Sequence, residues 1–139
     1  MAFLDMTIRN RLFLTEVHED LGMDINKMID VIKARSDFHK MGMIASHLGV
    51  VRGTSLNGKK VTSVEVGFDP GKISKIVRES KALPGIVEVL IETYDGRLSV
   101  GDDIMAVVVG GDTRENVFPA LMDTVNRIKV EGVEKKENF

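Results

Sequence analysis

Five cationic side chains in this 139-residue chain are suited to gripping a negatively charged ligand. Arg52 closes a stretch that is otherwise apolar or small and is followed by Gly53. Its guanidinium can reach into a cleft whose backbone a ligand can approach closely. Arg114 stands in the first turn of the last helix, where the backbone amides already carry partial positive charge. A cation is unfavourable there unless an anion, phosphate above all, joins it. Lys129 lies on the same helix, and Lys135-Lys136-Glu137 follow in a charged tail. Each has an ordinary reading as well: a solvated strand end, a surface arginine, a helix-end lysine, a solvated charge run. Arg114 and Lys129 bracket a stripe of Phe118, Leu121 and Val125. At 1.5 Å of rise per residue they stand about 22 Å apart. One small ligand cannot touch both within one chain, so either one of them is structural or a site is shared between two subunits.

Other chemistries are excluded. There is no cysteine, which removes disulfides, thiolate metal sites, iron–sulfur clusters and a cysteine nucleophile together. No pair among His18, His39 and His47 has helical ligand spacing with a carboxylate, so no metal site is expected. No nucleophile elbow, phosphate loop or dinucleotide fingerprint occurs, and no cofactor is implied. A net charge of −2 gives no basic field for nucleic acid, and six Phe, one Tyr and no Trp make no base-stacking platform. The longest apolar runs are about six residues, too short to span a membrane. The first residues lack the pattern of a signal peptide, and a cytoplasmic protein is expected. With 43% hydrophobic and 29% charged residues, the chain reads as one globular domain over residues 1–139.

The elements that must carry these residues follow from periodicity. Residues 7–17 alternate loosely as a first strand. Asp24 caps a helix with Ile25, Met28, Ile29 and Ile32 on one stripe, ending near Arg35. Residues 43–52 read as a strand, with Gly49 and Gly53 marking a bulge or a close backbone approach. Asn57-Gly58 is a hairpin signal leading to a return strand, 61–68, with Val64, Val66 and Phe68 on one face. Asp69-Pro70 starts a second helix carrying Ile73, Ile76, Val77 and Leu83, and Pro84-Gly85 ends it. Residues 86–93 form a strand, Asp95-Gly96 a second tight turn, and 103–109 the most apolar and central strand, broken by Gly110-Gly111. Asp112, with Glu115 three residues on, makes a capping-box start for a helix over 113–130. Gly132 ends that helix, and the charged tail from Val133 is expected to be loose. Two hairpin signals break a βαβ alternation, so the fold class is α+β, an antiparallel or mixed sheet covered by helices.

Taken in order, these pieces resemble the catalytic (large) subunit of molybdopterin synthase over residues 42–137. The resemblance rests on Gly49-Val50-Val51-Arg52, the Gly58 turn, the helix after Phe68, and Gly96-Arg97-Leu98-Ser99-Val100-Gly101-Asp102 with the apolar strand behind it. It continues through Thr113-Arg114 with Phe118, Ile128-Lys129 and Lys135-Lys136-Glu137. It implies an α/β-hammerhead fold and a homodimer within a heterotetramer. The partner is a small ubiquitin-like sulfur-carrier subunit whose C-terminal Gly-Gly ends in a thiocarboxylate. The implied reaction places two sulfurs on cyclic pyranopterin monophosphate (precursor Z) and yields molybdopterin for the molybdenum or tungsten cofactor. An absence of cysteine agrees with sulfur arriving on a partner, and the Arg114–Lys129 separation with a site built across a dimer. By position, the resemblance makes Lys129 and Lys135 the catalytic lysines. It sets Arg52, Arg114, Thr113, His47 and Lys136 against the substrate. The chain departs from the family pattern in four places. Thr113 stands for a histidine, Tyr94-Asp95 for a His-Arg pair, Val133-Glu134 for a proline and a tryptophan, and His47 for an aromatic residue. Two rival readings are a non-catalytic relative of the same fold binding a phosphorylated ligand or a protein partner, and an unrelated α+β ligand-binding regulatory domain.

Overall fold

The computed structural model describes residues 10–13 and 24–139. Its elements run β1 (Asn10–Phe13), α1 (Ile25–Lys33), β2 (Met43–Val50), β3 (Ser63–Phe68), α2 (Pro70–Lys81), β4 (Ile86–Tyr94), β5 (Gly96–Ser99), β6 (Asp103–Gly111), α3 (Arg114–Arg127) and β7 (Val133–Asn138). They build two sheets, ordered β1-β4-β6-β2 and β5-β3-β7, and every pairing is antiparallel. This is the α+β class expected from the sequence. Of the expected first strand, Asn10–Phe13 pairs with β4, and the rest of that stretch lies outside the described residues.

β4 and β6 are buried along most of their length because both of their faces are covered. Val89, Ile91, Val107 and Val109 point into the main core with the buried face of α2, while Leu90, Ala106 and Val108 point the other way onto Met28 and Ile32 of α1. The strand period of two thus divides one sequence run between two cores. Both early helices start as expected. The Asp24 carboxylate accepts from the Lys27 amide at 3.2 Å, and the Asp69 carboxylate accepts from the Lys72 amide at 3.1 Å. Helix ends are tied to the sheet through Glu88 on β4, only 5% exposed. It receives Arg35, just past α1, at 2.6 Å and Lys81, the last residue of α2, at 3.2 Å.

Several local expectations are corrected. Asn57-Gly58 does turn the chain, with Gly58 at φ +83° and a Thr54–Lys60 bridge behind it, but β2 and β3 do not pair. Asp95-Gly96 likewise links β4 to β5 across the two sheets. A tight turn fixes a change of direction but not a partner. β2 is matched along its length by β6, and β3 has β5 on one edge and β7 on the other. Gly110-Gly111 do not break the strand. They stay paired with β2, and they are glycines because neighbours press on them. A Cβ on Gly110 would lie 2.6 Å from the Met41 sulfur, and one on Gly111 2.7 Å from the Gly85 carbonyl oxygen.

The capping box at the last helix does not form either. Thr113 is the N-cap residue, with no side-chain cap bond. The Asp112 carboxylate instead accepts from the Thr113 amide at 2.6 Å and the Asn116 side chain at 2.9 Å. α3 ends at Arg127 and widens into a π-turn over Ile128–Gly132. The tail is not loose, because residues from Val133 onward are β7, paired with β3 from Phe68↔Val133 to Ser63↔Asn138. An otherwise open edge of β3 offers backbone groups that the charged tail satisfies while its charges stay in water.

Candidate functional site

Where the two sheets face each other, they enclose a cavity of about 710 Å³ with the π-turn at one wall. Strand alternation decides what reaches it. On β3, Val64, Val66 and Phe68 face inward, and their register partners on β7 are Glu137, Lys135 and Val133. A period of two therefore aims Lys135 and Glu137 into the cavity. Lys136 lies on the opposite face across from Glu65, where it borders a shallow hollow with Arg97 and Glu134.

Lys129 enters from the π-turn. A π-turn adds a residue to the helical repeat and so re-aims the side chains that follow. Two contacts with α2 hold this one. The Gly132 carbonyl accepts from the Asp69 amide at 3.0 Å, and the Arg127 guanidinium donates to Glu79 at 2.6 Å and to Glu131 at 2.9 Å. Arg127 also holds the Glu131 carboxyl below the usual range.

Arg52 stands just beyond β2, where its guanidinium donates to the Thr54 hydroxyl at 3.3 Å and the Ser55 carbonyl at 3.4 Å. His47, half-buried on β2, lines the same cavity. Its Nε2 lies 3.6 Å from where a Cβ on Gly49 would sit, so the ring lies along its own strand over Gly49. Burial, and then the charge of Lys129, push the imidazole below its ordinary range and so favour the neutral ring. Three cations thus face one carboxylate, Glu137, in a cavity whose other walls are largely apolar. Such a site takes an anionic group attached to a less polar body.

The structure brings together Arg52, Lys129, Lys135 and His47. It leaves Arg114, Thr113 and Lys136 outside this cavity. Arg114 is 80% exposed at the start of α3 and lies 3.4 Å from Glu115. Glu137 was not singled out from sequence as a cavity residue. Reading the tail as a strand would have found it, since it alternates with Val133 and Lys135. Among the described residues there is no cluster of His, Asp or Glu able to hold a metal ion. No helix among them is long and apolar enough to cross a membrane.

Charge-assisted contacts to an anion contribute roughly 1.5–3 kcal/mol each. Arg52→Ala is therefore expected to weaken binding of inorganic pyrophosphate by tens-fold. Calorimetric titration would measure this, with an unchanged melting temperature showing that the fold is kept. Equal affinity would make Arg52 a strand-end arginine that only braces its own loop.

The model of the family described as MoaE protein matches residues 19–131 of the chain. A search of curated proteins finds no match. Among solved structures, a molybdopterin biosynthesis MoaE protein from Burkholderia ambifaria MC40-6 is 29% identical. That match covers 84% of this chain and 78% of the other, with a TM-score of 0.67. Molybdopterin cofactor biosynthesis protein E from Burkholderia multivorans ATCC 17616 is 28% identical, over 84% and 77% of the two chains, with a TM-score of 0.66. Molybdopterin synthase from Staphylococcus aureus, at 21% identity over 76% and 85% of the chains and a TM-score of 0.62, shares the fold.

Proposed function

Because the chain belongs to the MoaE protein family, we propose that it is the catalytic (large) subunit of a molybdopterin synthase. Convergence of Arg52, Lys129 and Lys135 on one cavity carries this reading. The substrate is cyclic pyranopterin monophosphate, and the sulfur donor is the thiocarboxylate ending the Gly-Gly tail of a small ubiquitin-like carrier subunit. Both reactants are anionic, so a site with an excess of fixed positive charge draws them together. In this scheme Arg52 anchors the phosphate, assisted by Lys135. Lys129 holds the carrier's carbonyl oxygen while the activated sulfur is transferred, so negative charge developing on that oxygen meets an ammonium. The setting we propose is cytoplasmic. The test is to mix the protein with thiocarboxylated carrier and precursor Z and to measure molybdopterin. Conversion supports the reading. Anion binding without conversion, using the proper carrier, would make the chain a non-catalytic relative, and the replacement of a family histidine by Thr113 is the observation that favours that outcome.

The working unit in this proposal is a homodimer in which Arg114 of one protomer reaches the cavity containing Lys129 of the other. Arg114, Phe118 and Met122 follow one another at four-residue spacing on α3, and all three are exposed, Phe118 at 55% and Met122 at 68%. An apolar stripe beside an unplaced cation suits a contact between copies. Sedimentation at micromolar concentration is expected to give a dimer, and Phe118→Asp is expected to give a monomer with little activity. A strict monomer of the unmodified chain that is fully active would sink this arrangement.

A further inference from the structure

We propose that His47 is the proton-linked member of this anion site: an anion bound among Arg52, Lys129 and Lys135 draws a proton from solvent onto the imidazole, which then holds the anion with them. This rests on the reading of the cavity as an anion site, but not on any particular substrate. Its ground is placement. The ring is half-buried, lines the same cavity as the three cations, and lies along its strand over Gly49. The resemblance puts an aromatic residue without a titrating nitrogen at this position, so the property belongs to this chain.

The charged groups that share the ring's cavity come from three places, and among them it is Lys129 whose charge acts on the ring. Lys129 comes from the π-turn, Lys135 and Glu137 from β7, and Arg52 from beyond β2. β6 and β3 contribute only apolar side chains to the cavity, and α3 contributes none. In the empty site, burial and Lys129 disfavour the imidazolium. A bound anion offsets the neighbouring positive charge, and its own charge favours the protonated ring. The sign follows from linkage. The protonated form binds the anion more tightly, so affinity is level above the bound-state pKa. It rises as pH falls between the bound and free values, and levels again below the free value. A one-unit separation of the two values corresponds to about a tenfold gain in affinity.

The probe is inorganic sulfate, which does not itself titrate between pH 5 and 8. The His47 ring would be followed by NMR against pH, with and without saturating sulfate, on the unmodified protein. The expected result is a ring pKa raised by about one unit, with sulfate affinity about tenfold tighter at pH 5 than at pH 8. His47→Phe should bind sulfate with no pH dependence over that range. Saturable binding that shifts the amides around Arg52 and Lys129 but leaves the His47 titration unmoved would overturn the role of His47 alone. Absence of saturable binding at any pH would overturn the anion site and this proposal together.

Discussion

Lys129→Ala is expected to lower molybdopterin formation at least about a hundredfold, near 2.7 kcal/mol of transition-state stabilisation. The bland alternative is a lysine that only complements a helix C-terminus, worth a few tenths of a kcal/mol to stability and nothing to rate. The structure sharpens the contrast. Lys129 follows the end of α3 at Arg127, sits in the π-turn, and its side chain is exposed to the cavity rather than packed in the core. Truncating it removes little buried surface, so the melting temperature should hold. The assay holds the protein and thiocarboxylated carrier in excess over precursor Z and follows product in a single turnover. Conversion by Lys129→Ala at the unmodified rate would refute the role. A rate loss accompanied by a lowered melting temperature would point to the turn having collapsed, and circular dichroism separates the two.

Glu88→Ala is expected to be the most destabilising single change outside the apolar core. Glu88 is 5% exposed, bonded to Arg35 at 2.6 Å and Lys81 at 3.2 Å, and its Oε1 accepts from the Val89 amide at 3.0 Å. Removing the carboxylate takes away the group that joins the ends of α1 and α2 to β4, although Arg35 keeps its pair with Asp37 at 2.8 Å. Breaking a fully buried pair costs about 3–5 kcal/mol. Arg35 and Lys81 are 24% and 22% exposed, so water recovers part of that, and about 2–3 kcal/mol is expected. For a domain of this size the melting temperature should fall by roughly 6–9 °C. Activity at low temperature should persist, since Glu88 does not line the cavity. A fall of a degree or less would mean that solvent already screens the cluster.

Local chemistry was legible in the sequence wherever it is decided within a few residues. The caps at Asp24 and Asp69, the inward face of Val64, Val66 and Phe68, and the apolar strand over 103–109, though not its continuation through Gly110-Gly111, all depend on neighbours in the chain. Partnership between strands was not, because Asn57-Gly58 and Asp95-Gly96 state that the chain turns without stating which sheet it turns into. The same limit hid β7. A segment as charged as Val133–Asn138 reads as solvated tail, and only the open edge of β3, assembled from distant sequence, makes it a strand. Of the candidate residues, Arg52 stood out as a charge closing an apolar or small stretch, and Lys129 through its place with Arg114 about the stripe of Phe118, Leu121 and Val125 and through the family resemblance. Lys135 and Lys136 were told apart in the sequence only by the family resemblance, and it is the strand period that puts them on opposite faces. The wide turn that aims Lys129 has no signal beyond Gly132, because it arises from packing against α2.

Among the described residues the two sheets share no ladder of backbone hydrogen bonds, and that has a consequence for how the molecule moves. The β4–β6–β2 layer has α1 on one face and the main core on the other, whereas β5–β3–β7 is a small three-stranded ribbon joined to it by loops and side chains. Opening free energy is set by buried contacts and by how many backbone bonds must break together, so the ribbon, which shares the main core but no backbone ladder with the larger layer, is expected to open more readily. Amide exchange should be fast along β3 and β7 and slow along β4 and β6 while the cavity is empty. Any molecule that bridges Lys135 on one layer and His47 on the other acts as a strut between them. Its arrival should slow exchange in the ribbon to approach that of the larger layer, with no change of backbone shape required.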